Sequence, residues 1–346
     1  MKSSERSISF DILRIISALS IIIMHITTDR FYSLPLGSRE WTINASINSL
    51  FHFGVPIFVM ISGALFLNPH KEISIKHLYI HSILRLVIVL FVWNCFYGIN
   101  DFLQYKASPK FLVWEIADGR NHLWFLPMII GLYVLQPILH RWITNASEKE
   151  IHYFIAVFFV VQIIWETLET LQVSDFITLL SKYRSIPMMC GYIGYFVIGS
   201  AVVHKGFLRQ KKMPVYILGI FGMLLSPFAV TVHSNMKQLP MAATVDSFSI
   251  LTFFYAVAVF CLVTDVFEKK HFGAKTTALI TNIGKDTFGL YLCHMGVIEI
   301  ITPLRDWYYS MPSPVGVPVY AIIIFLIGIC ISAVLRRIPV VGRYIC

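Results

Sequence analysis

The chain contains a series of apolar segments, each about twenty residues long, and these segments decide which folds it can adopt. A helix of that length crosses the ~30 Å hydrocarbon core of a bilayer, because it rises 1.5 Å per residue. Ten such segments can be read, at residues 8–27, 47–67, 78–100, 122–142, 150–168, 187–204, 213–233, 247–267, 286–303 and 315–335. The pattern predicts an all-α, polytopic integral membrane protein with about ten transmembrane helices.

Composition agrees with a membrane protein and argues against a soluble one. Hydrophobic residues make up 57% of the chain and charged residues 14%, whereas soluble domains carry about 25% charged residues. The net charge of +9 could suggest a nucleic-acid partner, but the Lys and Arg residues lie in short loops between apolar segments rather than on one folded face. We therefore expect the lipid bilayer, and no nucleic acid, as a partner.

Positive residues in the loops predict the orientation. With the N-terminus inside, seventeen of the 28 Lys and Arg residues fall on the cytoplasmic side and nine on the other, while Arg14 and Arg85 lie within helices. Cytoplasmic loops of membrane proteins are enriched in Lys and Arg. Both termini are therefore predicted to be cytoplasmic, although one misplaced helix would invert every loop after it.

We expect residues 1–346 to form a single membrane domain without an appended soluble domain, because the connections are short and contain no linker-like stretch. Lys2 and Arg6 precede an apolar run that lacks a small-residue cleavage site, which indicates a retained signal-anchor helix. No pair of cysteines forms a CxxC motif, and five of the six lie in apolar segments, as expected of small packing residues. They are Cys95, Cys190, Cys261, Cys293, Cys330 and Cys346.

The first apolar segment contains three ionisable residues, Asp11, Arg14 and His25. Asp11 and Arg14 are three residues apart and can pair on one helical face. Arg14 and His25 are eleven residues apart, which places them on one face and separates them by ~16 Å along the axis. In one interpretation Arg14 extends to the headgroups and His25 caps the helix. In the other, the face is a pathway with a cation at one end and a base at the other.

The same segment, residues 9–25, resembles the opening of the acyltransferase 3 family of bacterial membrane proteins, in which an Asp is followed by an Arg and then a His with this spacing. Three later motifs follow in the family's order. They are Phe53–Gly63 in the second segment, His122–Pro127 with its Leu-Trp-Phe run, and Ile283–His294, where Thr287 and Phe288 stand in place of the usual Ser and Leu. The chain is identified on these motifs as similar to that family over nearly its whole length.

The resemblance implies transfer of an acyl group, usually acetyl, from cytoplasmic acyl-CoA to a hydroxyl of a cell-surface or lipid-linked glycan. It implies a bacterial cytoplasmic (inner) membrane location, acetyl-CoA as co-substrate with no bound cofactor, and possible work beside other glycan-assembly proteins. In length and layout the chain is most similar to the family's enterobacterial common antigen and polysaccharide O-acetyltransferases.

The resemblance also suggests roles for residues near the donor. His25 would be the catalytic base or would briefly carry the acyl group. Arg14 would bind acyl-CoA, since its planar guanidinium suits phosphate, and Asp11 would hold Arg14 in place. Arg85 lies where the family has basic residues of a CoA-phosphate site, although extension of its side chain to the headgroups would explain it equally well.

A substrate cavity is expected to contain Ser62, His122, Trp124, Tyr291 and His294. Three of them have an alternative explanation. Ser62 could be a small helix-contact residue beside Gly63, Trp124 an interfacial aromatic residue, and His294 a buried histidine with its hydrogen bonds satisfied. Glu166 and Glu299 receive no role from the sequence.

Other functions remain open at this point. Intramembrane Arg and His residues also occur in transporters and flippases, and a membrane binding module without catalysis could carry the same motifs. The sequence contains no Walker loop, GxSxG or HExxH motif. His70, His77 and His81 lie close together at the start of a helix, where a position facing the headgroups explains them, so we predict no metal site.

Overall fold

The computed structural model describes residues 7–105, 108–174, 177, 191–268, 270–339 and 342. The predicted signal-anchor residues Lys2 and Arg6, and two cysteines, Cys190 and Cys346, lie outside this part of the chain. The helices are α1 (Ile8–Ser33), α2 (Arg39–Ser49), α3 (Gly54–Phe66), α4 (Leu84–Tyr105), α5 (Pro109–Asp118), α6 (Phe125–Asn145), α7 (Glu148–Phe158), α8 (Trp165–Thr170), α9 (Ile193–His204), α10 (Lys212–Lys237), α11 (Ile250–Glu268), α12 (Ala274–Ile300), α13 (Thr302–Ser310) and α14 (Ser313–Arg337).

All regular secondary structure in the described residues is helical, which confirms the predicted all-α class. Short helical turns precede or join several helices, at Ile75–His77, Leu78–Ile83, Asn121–Trp124, Phe159–Ile164 and Ala242–Val245. A helix satisfies its own backbone hydrogen bonds, which is what a chain needs where no water is present. The apolar segments therefore dictate helices rather than open strands.

Eight helical stretches of the described chain are long and apolar enough to cross a membrane. The bent pair α12 and α13, which meet at 77°, gives a ninth if it counts as one span. The remaining predicted segment, 187–204, corresponds to the shorter apolar helix α9, since residues 187–190 lie outside the described part. Each of the ten segments thus contains a helix, and the polytopic membrane fold is confirmed. Which face is cytoplasmic stays a prediction.

Large apolar side chains on the outside of the bundle support the same conclusion. On α10, Phe221, Leu224 and Phe228 are each more than half exposed. Exposed apolar surface on this scale is unusual for a soluble monomer, whereas lipid chains cover it without cost. The outer face of α10 is therefore suited to contact with lipid.

Helix α1 lies at the centre of the bundle. It packs against α2, α3, α11, α12 and α14, and 61% of its most apolar stretch is buried, the largest share among the eight spans. Glycines allow close approach to it: a Cβ on Gly54 would lie 2.8 Å from the carbonyl oxygen of Ser17. The ionisable residues of α1 are therefore held in the protein interior.

Two glycines set the contact between α3 and α9. A Cβ on Gly63 would overlap the carbonyl oxygen of Phe196, and a Cβ on Gly199 would overlap that of Met60. Small residues are typical of membrane helix contacts, because the backbones can then approach closely. The small residue that makes this contact is Gly63, next to Ser62.

Replacing Gly63 with alanine is expected to destabilise the protein by about 1–3 kcal/mol, because the added methyl group forces α3 and α9 apart. Thermal unfolding of the detergent-solubilised protein measures the effect. Gly131→Ala is the matched control, since no atom lies within 4 Å of the position of its Cβ. Equal melting temperatures for the two variants would contradict the proposed packing.

Candidate active site

A cavity of about 510 Å³ opens beside the N-terminal half of α1. Its wall carries four cationic side chains, Arg14, Arg85, Lys285 and Arg336. These residues come from four different helices, α1, α4, α12 and α14. Two neighbouring carboxylates offset two of the cations, as described below, so the cavity keeps a positive character. An internal site of this kind favours an anionic ligand.

Arg14 is fixed by Asp11, as the spacing predicts. Its Nη1 donates to Oδ1 of Asp11 at 2.7 Å, and the Asp11 side chain is fully buried. Gly284 makes room for this pair, because a Cβ at that position would lie 2.8 Å from the Asp11 Cβ. The glycine of the fourth motif therefore lets α12 pack directly on the ion pair.

Arg336 is held in the same manner by Asp286. Its Nε and Nη2 donate to the two carboxylate oxygens at 2.8 and 3.0 Å, and Ser332 also contacts Oδ1. Arg85 places its guanidinium 5.9 Å from the centre of the Phe288 ring. Fixed guanidinium groups with planar donor arrays suit the binding of phosphate groups.

The far wall of the cavity is formed by Ser62, Tyr133, Phe125 and Tyr291. Tyr291 donates from its hydroxyl to the carbonyl oxygen of His122. Tyr291 therefore belongs both to the cavity wall and to the group of residues behind it.

Behind Tyr291 lie three histidines from three helical elements, which we call the histidine cluster: His25, His122 and His294. The ring centre of His294 is 5.2 Å from that of His25 and 5.3 Å from that of His122. Nδ1 of His294 donates to the carbonyl oxygen of Tyr291 at 2.6 Å, which leaves Nε2 as the acceptor. The Nε2 atoms of His122 and His294 are buried without a hydrogen-bond partner among the described residues.

Burying a polar atom without a hydrogen-bond partner costs free energy. Packing alone therefore does not explain why the Nε2 atoms of His122 and His294 are buried without partners among the described residues. His25 is only half-buried, although both of its neighbours in the cluster are buried. Within the described chain no group of three or more His, Cys, Asp or Glu residues is arranged to hold a metal ion. The geometry suits proton transfer or hydrogen bonding to a substrate.

Polar residues of α2 support the turn of α1 that carries His25. Asn48 donates to the carbonyl oxygen of Met24 at 3.2 Å and to Oγ1 of Thr27 at 2.8 Å. Its Oδ1 accepts from Nε2 of His52 at 3.0 Å. Asn44 adds a bond to the carbonyl oxygen of Thr27 at 2.9 Å. The two asparagines are buried, so these hydrogen bonds stabilise the C-terminal part of α1 from inside the protein.

An ionic network adjoins the histidine cluster on the side away from the cavity. Arg120 pairs with Asp101 at 2.7 Å and with Glu299 at 3.0 Å, and its guanidinium lies 5.6 Å from the centre of the Tyr97 ring. Tyr97 in turn packs against His122, with ring centres 5.0 Å apart. This network gives Glu299 the partner that the sequence does not identify.

The structure brings together most of the residues singled out in the sequence. Arg14, Arg85, Ser62 and Tyr291 line one cavity, Asp11 pairs with Arg14, and His25, His122 and His294 form the cluster behind Tyr291. Trp124 stands apart: it is 45% exposed and faces Tyr192, with ring centres 5.6 Å apart. Glu166 also lies elsewhere, 3.4 Å from Gln162 on the neighbouring turn.

Sequence reasoning missed several residues that the structure adds to the site. Lys285, Arg336 and Tyr133 line the cavity, while Asn48 and Arg120 support the histidine cluster. The usable signal was the cost of an ionisable or amide side chain in an apolar segment. It applies to Asn48, which lies inside the second predicted segment, whereas Lys285, Arg336 and Arg120 lie just outside the predicted segments.

The fold and the cavity define a polytopic membrane protein with an internal basic cavity, whose wall residue Tyr291 contacts the histidine cluster. A model of the acyltransferase domain of the acyltransferase 3 family matches residues 7–337. The chain therefore belongs to the acyltransferase 3 family and is a membrane acyltransferase. Comparisons with curated proteins and with solved structures gave no match.

Proposed function

We propose that this protein is an O-acyltransferase that moves an acetyl group from cytoplasmic acetyl-CoA to a hydroxyl of a lipid-linked or polymeric glycan, in the manner of the family's polysaccharide and enterobacterial common antigen O-acetyltransferases. The observation that carries the proposal is the basic cavity whose far wall, Tyr291, contacts the histidine cluster. Because the chain belongs to an acyltransferase family, the reaction proposed for it is an acyl transfer. The proposed location is the bacterial inner membrane.

The donor would enter at the basic end of the cavity. The phosphates of acetyl-CoA are matched by Arg14, Arg85, Lys285 and Arg336, which converge there from four helices. The pantetheine arm is long and slender, and its thioester would extend toward Tyr291. Arg14 and His25 are separated by ~16 Å along α1, a distance that the arm is suited to cover.

The acyl transfer itself would use His25. In this proposal the imidazole removes the proton of the acceptor hydroxyl while the oxygen attacks the thioester carbonyl. A C–O bond forms, the C–S bond breaks, and the proton is passed to the CoA thiolate, which leaves as the thiol. The imidazole rings of His122 and His294 lie in the same cluster and would position the glycan hydroxyl for attack on the thioester carbonyl.

Aromatic surface near the histidine end supports a carbohydrate acceptor. Trp124 and Tyr192 face each other, and Tyr192 packs against Phe248, with ring centres 4.7 Å apart. The exposed carboxylate of Asp246 lies two residues before Phe248. Sugars present apolar C–H faces to aromatic rings and hydroxyl groups to carboxylates, so Trp124 would contribute to acceptor binding at the entrance rather than inside the cavity.

The test is a transfer assay with purified protein and acetyl-labelled acetyl-CoA. Candidate acceptors are lipid-linked oligosaccharides and fragments of surface polysaccharides. We expect label to move to a glycan as an alkali-labile ester, with release of one CoA thiol for each ester. If no glycan takes label, or if the protein instead carries unmodified glycan across proteoliposome membranes without acetyl-CoA, the proposal is wrong and a transporter or flippase is the better account.

A further inference from the structure

Two further cavities lie away from the proposed active site and share part of one wall. The first, the polar cavity, has a volume of about 800 Å³ and lies between the N-terminal end of α1, α9 and α11. The second, the apolar groove, has a volume of about 300 Å³ and lies between α7, α9, α10 and α11. Phe207 and Leu208 line both spaces.

The polar cavity is basic. Arg209, Lys212 and His204 line it, together with Asp265. Asp265 is already occupied, because Lys212 Nζ lies 2.5 Å from its Oδ1 and Tyr216 donates to its Oδ2 at 2.7 Å. Arg209 has no ion-pair partner within the described residues. The cavity therefore presents an uncompensated cation to any ligand that enters it.

The apolar groove contains almost no polar surface. Its lining comes from Ile155, Phe159, Phe253, Phe254 and Val257, among others. His152 lies at its edge, where its ring packs against Phe207 with centres 5.2 Å apart. Neighbouring side chains on the outside of the bundle, such as Tyr153 and Met213, are strongly exposed, so the groove faces the region that lipid chains occupy.

The wall between the two spaces is held in an unusual backbone conformation. Leu208 adopts a left-handed φ of 68°, which is strained for a bulky residue, and Gly206 adopts a φ of 70°. The turn is closed by hydrogen bonds from Arg209 N to Gly206 O and from Lys211 N to Leu208 O, each 3.0 Å. This turn holds Phe207 and Leu208 between the apolar groove and the cationic side chain of Arg209.

We propose that the polar cavity and the apolar groove together form a binding site for an anionic phospholipid. The phosphate group would lie beside Arg209 and Lys212, and an acyl chain would follow the groove past Leu208. An anionic head joined directly to a hydrocarbon chain complements both spaces, and membrane lipids reach the groove from the bilayer. The site is separate from the proposed donor cavity, and its test does not depend on acyl transfer.

The test measures lipid retention by the purified, delipidated full chain with native mass spectrometry. Phosphatidylglycerol and phosphatidylcholine with identical acyl chains are the probes. Wild-type protein is expected to prefer phosphatidylglycerol, and Arg209→Gln to bind it about fivefold more weakly, the effect of about 1 kcal/mol for one cation near a lipid headgroup. Lys275→Gln, which removes a cation outside the polar cavity, should leave binding unchanged.

A second variant tests the groove without changing charge. Ala156→Phe fills the groove from its lipid-facing side and should also weaken retention, whereas Leu224→Phe on the outer face of α10 should not. Equal retention of the two lipids, or equal phosphatidylglycerol binding by wild type and Arg209→Gln, would overturn the proposal. Displacement of the lipid by acetyl-CoA would also overturn it, by assigning the polar cavity to the donor.

Discussion

Replacing His25 with alanine is expected to lower the rate of acyl transfer by about 10²–10⁴-fold, the usual contribution of a positioned general base. The loss should fall on kcat, because the basic cavity that would bind acetyl-CoA is lined by other residues. His25 is half-buried and its ring makes no hydrogen bond to another described residue, so the variant should fold normally. Steady-state kinetics with the labelled donor measure the effect.

Two companion variants make this result specific. His25→Gln keeps the polarity but not the basicity of the side chain and should be equally impaired. His233→Gln changes a buried histidine of α10 that contacts Thr244 at 2.7 Å and has no place in the histidine cluster, so it should retain activity. A His25→Gln variant with near-normal kcat would exclude His25 as the base.

Replacing Arg14 with glutamine is expected to raise the KM for acetyl-CoA by about 10- to 100-fold, because a charge-assisted hydrogen bond to a phosphate contributes ~1.5–3 kcal/mol. The KM for the glycan acceptor should change much less, since Trp124 and Tyr192 of the proposed acceptor surface do not line the basic cavity. Initial rates with each substrate varied in turn separate the two effects.

The Arg14 variant also changes the environment of the buried Asp11, which could lower stability. The double variant Arg14→Gln/Asp11→Asn separates the two roles: it should recover folding, because no buried carboxylate is left without its cation, yet keep the raised KM for acetyl-CoA. Arg141→Gln, at an exposed position on α6, is the matched control. An unchanged KM for acetyl-CoA in a folded Arg14→Gln protein would remove Arg14 from the donor site.

Local sequence patterns were sufficient to predict how the ionisable residues of the first helix are arranged. The three-residue spacing of Asp11 and Arg14 predicts their pairing, and the structure confirms it at 2.7 Å. The eleven-residue spacing also places His25 farther along the same helix, about three turns from Arg14. Such contacts follow from helix geometry alone, so one sequence is enough to predict them.

The start of the second span was harder to predict, for a physical reason. The apolar pattern places it at residue 47, whereas the helical stretch begins at Arg39 with α2. Asn44 and Asn48 make α2 polar enough to resemble a loop, but both are buried and bond to the end of α1. Their acceptors lie on another helix, and no local pattern shows that.

Long-range contacts define the rest of the site and could not be predicted from spacing. Arg30 appears in the sequence as an outer-loop cation, yet it is buried and donates to the carbonyl oxygens of Tyr308, Tyr309 and Met311. The network of Arg120 with Glu299 likewise joins residues 179 positions apart. The sequence shows that burying such charged side chains would cost free energy, but only the packed structure shows which residues pair with them.

We propose that the acyl group passes from a donor at one face of the membrane to an acceptor at the other, and the sidedness of the reaction distinguishes this from transfer at a single face. Protein is reconstituted into sealed vesicles in sorted orientations, with labelled acetyl-CoA outside and the glycan acceptor inside. We predict labelled glycan in the lumen only when the Arg14 end of α1 faces outward, and none with His25→Ala. Transfer that requires donor and acceptor on the same side, or that ignores orientation, would contradict the account.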